Sequence, residues 1–396
     1  MRIEEVIKEA MPLTQELIDH RRWLHRHAET GFDLMSTNTY VAGALRDMGI
    51  EPKRKGKMGI CADITGREGS KTFLLRADMD ALPIREESGE SFACASGCMH
   101  ACGHDMHTAM LLGASKLLLH HRESFSGTVR LMFQPAEETL EGAKDMIDSG
   151  ILDGVDGAMM LHVIPGVPFP PGTPLPPKGG VGAPSADYFT ITVRGKGCHG
   201  ATPHKGIDPI LPTANIILGL QEILTREIDS SENTTVTIGS VHAGDVGNVI
   251  PDASVISGTA RTYRQPVQEE IKSRIVQISQ SIAQAYRAAA KVDFHGSCPP
   301  LYNDPALCEL LSRYLSPLLD AQKSPSGCSG ASEDFSYVSC QVPAVVIALA
   351  AGEPEKGFTF PLHHPKVRFD EAALPYGSAI LAGSAMYWLN QAQEEL

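Results

Sequence analysis

Residues 76–84 read RADMDALPI, 99–107 read MHACGHDMH and 133–138 read FQPAEE. Each stands where an apolar run stops. TFLLRAD ends on Asp78, and TVRLMFQ runs straight into Pro135, Ala136, Glu137 and Glu138. The Cys-Gly-His turn opens HDMHTAMLLGASKLLLHH (104–121), where Met110, Leu111, Ala114, Leu117 and Leu118 fall at helical spacing. Strand, helix and strand in this order predict an α/β domain with a largely parallel sheet. In such sheets functional groups gather beyond the carboxyl ends of the strands, where Asp78, Asp80, Glu137 and Glu138 fall.

The same pattern extends on both sides. Ile3, Val6, Ile7, Ala10, Leu13, Leu17 and Ile18 predict an N-terminal amphipathic helix, broken or kinked at Pro12. Residues 36–48 read as a helix and ICADITG (60–66) as a strand. EGAKDMIDSG (141–150) is a helix closed by glycine, and GAMMLHV (157–163) is a short buried strand carrying His162 near its end. From 165 to 184 the chain is dense in proline and glycine, which predicts no regular element and a domain boundary. Strand, helix, two strands, helix and strand follow over 186–298, the helix in QEEIKSRIVQISQSIAQAYRAAA running to about residue 290. That order predicts an inserted α+β sandwich of ferredoxin-like type. A helix over 305–319, the strand PAVVIALA and a helix over 374–391 then resume the first pattern. The expected domains are 1–184 with 300–396, and 185–299.

Composition narrows the classes. Two domains suit 396 residues. With 34 Lys and Arg against 47 Asp and Glu, a net charge of -13 and no basic run, nucleic acid and anionic membrane are not expected partners. The longest wholly apolar run, 344–351, falls far short of a membrane span, and the N-terminus lacks a signal-peptide core, so a cytoplasmic protein is expected. Nine scattered cysteines do not suggest a disulfide framework. Cys94, Cys98 and Cys102 stand four apart rather than in C-x-x-C pairs, which disfavours a zinc ribbon.

One or two metal ions allow a hydrolase to activate water at neutral pH and to polarise the carbonyl under attack, while a nearby carboxylate moves the proton. Of the adjacent Glu137 and Glu138, one can bind metal and the other serve as base. Cys102 and His104, two apart on a turn, can ligate the same ion or neighbouring ions, and a thiolate favours softer transition metals over magnesium or calcium. His162 and the pair His363 and His364 complete a plausible set. Taken singly, each is more often structural; their joint position at strand ends and in loops carries the reading.

Several long motifs in order, RRWLHRHAETGFD, LRADMDALPI, HACGHDMHTAMLLGA, FQPAEE, GKGCHGATPHKGIDPI, GNVIPD, SGTARTY, GASEDFS and LHHPKVRFDEAALPYG, resemble the M20 metallopeptidases. The similar branch is that of the amidohydrolases, with auxin-conjugate hydrolases, hippurate hydrolases and N-acyl-amino-acid deacylases. The resemblance implies a phosphorylase/hydrolase-like α/β catalytic domain and a lid and dimerisation role for the inserted domain. It also implies two divalent metal ions (Zn, Mn, Co or Ni) on Cys102, His104, Glu138, His162 and His363, with Glu137 as general base and acid. In that family the last ligand stands two residues before a proline, which selects His363 over His364. Asp80 matches a carboxylate that orients a ligand. Asp78 stands where much of the wider family has a metal-binding His, so its role is open. His199 matches an oxyanion-stabilising His, often contributed across a dimer interface, and Asn248 and Arg261 match positions holding the substrate carboxylate. Cys198 departs from the usual Gly.

The expected activity is removal of an N-acyl group from an N-acyl-amino acid or related small conjugate by a homodimer or dimer-based oligomer. A dipeptidase and an inactive ligand-binding homologue are the alternatives.

Overall fold

The computed structural model describes residues 1–175, 178–319 and 331–392; Pro176, Pro177, Cys328 and Gly330 lie outside them. The chain divides into two compact units. The first takes the described parts of Met1–Gly182, Tyr302–Gly327 and Tyr337–Leu396, the second Ala183–Leu301 and the described part of Cys328–Ser336.

The first unit is built on a seven-stranded sheet. In spatial order its strands are Lys53–Lys55, Gly59–Thr65, Ser126–Gln134, Arg67–Asp78, Gly157–Ile164, Ala344–Ala350 and Pro174–Leu175. The four from Ser126–Gln134 to Ala344–Ala350 are mutually parallel, and the flanking pairings are antiparallel. Phe73, Leu74, Leu75, Ala158, Met159, Met160, Val345 and Ile347 are wholly buried, as expected of parallel strands covered on both faces. The N-terminal helix breaks where expected, with Ile3–Ala10 and Thr14–Arg26 joined by a 3-10 turn over Met11–Leu13. The helices His104–His120 and Leu374–Gln391 are buried along nearly their whole length and pack on each other. Small residues permit the close approach: a Cβ on Gly377 would stand 2.2 Å from Met110 Sδ.

The second unit has an antiparallel sheet in the order Thr234–Ala243, Ala253–Thr262, Ala186–Arg194 and Ala289–Cys298. Helices Ile210–Glu222 and Gln265–Ala285 pack on each other and on this sheet. The chain order is the split β-α-β-β-α-β arrangement. Phe189, Ile191 and Val193, alternate residues of one strand, enter the same apolar core as Ile216, Leu220, Ile271 and Ile275.

Two expectations need correction. The proline-rich segment does form regular structure: Pro174–Leu175 pairs with Ala348 and Leu349 at the sheet edge, and Gly180–Ala183 pairs with Leu301–Asn303. Edge positions tolerate a proline because one side of the strand needs no donor. The long helix ends at Ala285, not near 290. Arg287 turns left-handed at φ 63, and the Arg287 and Ala288 amides donate to Gln284 and Ala283 carbonyls, a C-terminal cap that releases Ala289–Cys298 to pair with Ala186–Arg194.

The helix His104–His120 starts from Gly103 at φ +86, where a Cβ would also stand 2.4 Å from Val163 Cγ2. Gly49 has φ +80 with nothing within 4 Å of a Cβ. In urea denaturation, Gly49→Ala is expected to cost about 1 kcal/mol from backbone strain alone. Gly103→Ala adds the clash and is expected to cost about 2–4 kcal/mol.

Candidate metal centre

Three neighbouring parallel strands end together, at Gln134, Asp78 and Ile164. From Arg67–Asp78 the chain crosses to Ser126–Gln134 on one side, and then to Gly157–Ile164 on the other. The direction of winding therefore reverses beyond Asp78, which opens a crevice at the carboxyl edge. Into this edge the turn after Gln134 carries Glu137 and Glu138, and the strand end carries His162. The turn before His104–His120 brings Cys102, and a loop adds His363, whose amide donates to the Ala101 carbonyl at 2.9 Å.

The donor atoms of these residues converge. In each of three overlapping sets, Cys102–His104–His162, His104–Glu137–Glu138 and Cys102–Glu138–His363, one ligand atom per residue lies within 4.8 Å of the others. Cys102 Sγ is 3.5 Å from His162 Nε2, and His363 Nε2 is 3.4 Å from Glu138 Oε1. His104 Nε2 lies 3.9 Å from Glu137 Oε2 and 4.0 Å from Glu138 Oε1. His104 Nδ1 donates to the Asp80 carbonyl at 2.8 Å, and His162 Nδ1 to the Val163 carbonyl at 2.9 Å. Both Nε2 lone pairs are thereby left for the centre.

Asp80 organises this arrangement. Its fully buried carboxylate accepts the Glu137 amide at 3.0 Å and the Glu138 amide at 3.2 Å, while its carbonyl holds His104. The residue before Glu137, Ala136, is left-handed at φ 53, and His363 is left-handed at φ 65. Such strain outside glycine persists where surroundings over-determine it.

A cation fits the donors. His104 Nε2 and Glu138 Oε1 are buried without a hydrogen-bond partner, a cost that native structures normally avoid. Burial pushes the Cys102 thiol up and Glu138 up to about 7, and it pulls His162 down to about 3. Burial also opposes charge on His104, but the Asp78 carboxylate together with Cys102 and Asp80 outweighs it, and the imidazole is held well above its usual value. A dication at the focus would reverse the penalty on the thiol and on Glu138. Thiolate, imidazole and carboxylate together suit zinc-class ions rather than magnesium or calcium.

Asp78, His104 and His107 also bring ligand-type atoms within 4.8 Å of one another, yet those of Asp78 and His107 are already committed. Arg76 pairs with Asp78 Oδ2, and His107 Nδ1 donates to Asp78 Oδ1 at 2.6 Å while its Nε2 accepts the Val163 amide at 2.9 Å. Burial disfavours charge on Asp78, but Arg76, followed by His104 and His107, holds its carboxyl well below the usual range. From the sequence Arg76 carries no expectation, whereas His107 is expected to be structural or to brace a ligand. An arginine inside an apolar strand was the available signal, since a buried charge requires a partner.

His199, Asn248 and Arg261 belong to the second unit. His199 pairs with Val249 in a two-residue ladder, and the Gly200 amide donates to the Asn248 carbonyl at 2.8 Å. Arg261 donates to Ser332 Oγ at 3.1 Å and Tyr188 Oη at 3.2 Å, with its guanidinium 5.3 Å from the Tyr188 ring centre. These three residues do not form one cluster. Asn248 and His199 lie beyond the Ala253 end of the strand Ala253–Thr262, and Arg261 stands near its other end.

The chain is 37% identical over 386 residues to an N-acetyl-L-cysteine deacetylase of Bacillus subtilis (strain 168), covering 96% of this chain and 90% of that relative. It is 34% identical over 395 residues to thermostable carboxypeptidase 2 of Saccharolobus solfataricus, covering 98% and 99%. A solved Bacillus subtilis structure, described as a dinuclear metal binding peptidase of the M20 family, superposes with a TM-score of 0.78 at 33% identity over 96% of this chain and 99% of that one. Residues 74–387, the span that holds every donor of the candidate centre, match the sequence profile of peptidase family M20/M25/M40, and the chain is a hydrolase of that family.

Proposed function

We propose that this hydrolase is a two-metal amidohydrolase that removes the acyl group from an N-acyl-amino acid or a related small conjugate. The observation that carries the reading is the convergence of two orphaned buried atoms, His104 Nε2 and Glu138 Oε1, with Cys102, His162 and His363 beside Glu137. Cys102, His104, Glu138, His162 and His363 hold the ions, which are Zn, Mn, Co or Ni by donor chemistry. Asp80 positions His104 and both glutamates. Identity to a deacetylase supports the substrate class.

Bound ions supply Lewis acidity, lowering the pKa of a water and polarising the amide carbonyl. Glu137 takes the proton of the attacking water as its oxygen bonds to the acyl carbon. As the C–N bond breaks, Glu137 returns that proton to the departing amine, leaving a carboxylic acid and an amino acid. His199 donates to the oxyanion, and Asn248 and Arg261 bind the substrate carboxylate, Arg261 through its planar fork.

One copy cannot apply His199 and Arg261 to the same small molecule. They are separated by most of a ten-residue strand, roughly 25 Å at ~3.3 Å per residue. A homodimer through the second unit resolves this, because a partner copy supplies one of the two sets. Two surface features support that interface: Leu211 and Leu218, exposed at 53% and 71% on one helix, and Thr234–Ala243, an edge strand of the described sheet. A cytoplasmic location is part of the proposal. It is supported by the absence of any disulfide among the described cysteines, and among the described residues no helix is long and apolar enough to cross a membrane.

A second reading, hydrolysis of short peptides, is favoured by the identity to a carboxypeptidase. A panel of N-acetyl-amino acids, N-benzoyl-amino acids and dipeptides on metal-reconstituted protein separates the two. Higher kcat/KM on the acyl-amino acids is expected; turnover of dipeptides alone would overturn the proposal, and inertness to the whole panel would point to a ligand-binding homologue. Glu137→Gln is expected to lower kcat by about 10²–10⁴-fold with metal content unchanged by elemental analysis. A kcat within a few-fold of wild type would sink the assignment. Light scattering should give the mass of two chains, and Leu218→Glu should shift it towards one; a monomeric wild type would contradict the dimer.

A further inference from the structure

The helix His104–His120 carries a second group of metal-type donors at its other end. His120 is its last residue and His121 follows as its cap, while Glu9 comes from the helix Ile3–Ala10. One ligand atom from each of Glu9, His120 and His121 lies within 4.8 Å of the others. His121 Nε2 is hydrogen-bonded to Glu9 Oε2, and the two imidazoles meet edge to face with ring centres 4.8 Å apart. With a rise of 1.5 Å per residue, this group stands about 24 Å along the helix axis from His104.

Several features favour a cation here. The carboxyl end of a helix carries negative partial charge, to which Glu9 adds a full one. Lys116, one turn before His120, directs its ammonium to Glu16 Oε2 at 2.6 Å. The framework is preorganised: Ile3, Val6 and Ala10 are buried, and their helix packs against both His104–His120 and Leu374–Gln391. The His121 side chain is only 11% exposed, whereas that of Glu9 is 42% exposed and His120 is a surface residue. Donors in a tetrahedral zinc site stand about 3.4 Å apart, so a rotation of the exposed His120 closes the present span onto the anchored His121. Two imidazoles, one carboxylate and an open side match zinc, copper or nickel rather than magnesium or calcium.

We propose that Glu9, His120 and His121 bind one divalent transition-metal ion of the zinc class, at a site separate from the centre around His104. The ion would tie the N-terminal helix to the end of the helix on which that centre is built. The inference does not depend on the proposed reaction.

The test uses the full, untagged chain dialysed to equilibrium against micromolar zinc, with zinc per chain read by elemental analysis. The double variant His120→Ala/His121→Ala is expected to hold one zinc fewer than wild type. Because the readout is a difference, it stands whatever number binds at the His104 centre. Glu9→Gln should weaken the extra site at least about tenfold, the loss that even outer-sphere partners produce. Activity per occupied centre should not change in the double variant. Equal zinc contents in wild type and double variant would overturn the proposal. Should circular dichroism show the double variant to be misfolded, the single variant His120→Ala at an exposed position decides it: loss of one zinc supports the site, and an unchanged count refutes it.

Discussion

Asp80 is the residue through which the candidate centre is held together. Its carboxylate accepts two consecutive backbone amides, from Glu137 and Glu138, and its carbonyl accepts His104 Nδ1. Three chain segments that arrive separately, the end of one strand, the turn after its neighbour and the start of a helix, are thus fixed by one wholly buried residue. Hydrogen bonds to an ionised acceptor are stronger than neutral ones, and burial strengthens them further. They oppose the left-handed strain at Ala136, which is what turns Glu137 and Glu138 towards His104.

Around this residue the unit buries several full charges, each with a partner. Arg76, Asp78 and His107 form one group at the strand ends. Arg21 and His25 converge on Asp105, the residue after His104, at 2.9 and 2.8 Å, and Arg21 also meets Glu371 at 3.0 Å. His104 is therefore held from both sides, by Gly103 in a conformation open to glycine and by Asp105 in an ion cluster. Removing one member of such a buried pair typically costs 3–5 kcal/mol, because the remaining charge is left uncompensated. These networks keep donor atoms stationary in a region where two of them, His104 Nε2 and Glu138 Oε1, have no hydrogen-bond partner.

The second unit is organised differently. Its core is apolar, drawn from alternate strand residues and two helices, and the residues of interest lie at opposite ends of its sheet. Arg261 is braced by Tyr188 and Ser332, whereas His199 sits on a two-residue ladder with Val249. That separation, rather than any property of either residue alone, makes a second copy of the chain part of the functional proposal.

Much of this was legible in the residues. The α/β pattern, the inserted β-α-β-β-α-β unit and the break at Pro12 follow from local periodicity and backbone sterics, which need no distant partner. Cys102, His104, Glu137 and Glu138 could be singled out because each stands where an apolar run ends. Even the pairing of Arg76 with Asp78 was implicit, since residues two apart on a strand share a face. What the tertiary structure decided depends on segments far apart in sequence. The short strands in the proline-rich stretch exist because Ala348, Leu349 and Leu301–Asn303 offer them edges. The helix over Gln265–Ala285 stops where the chain goes on to pair with Ala186–Arg194. The commitment of Asp78 to His107, and the meeting of Glu9 with His121, join segments that only folding brings within reach. Periodicity determines which face of an element is buried; which buried charges meet there is set by long-range packing, which no local pattern encodes.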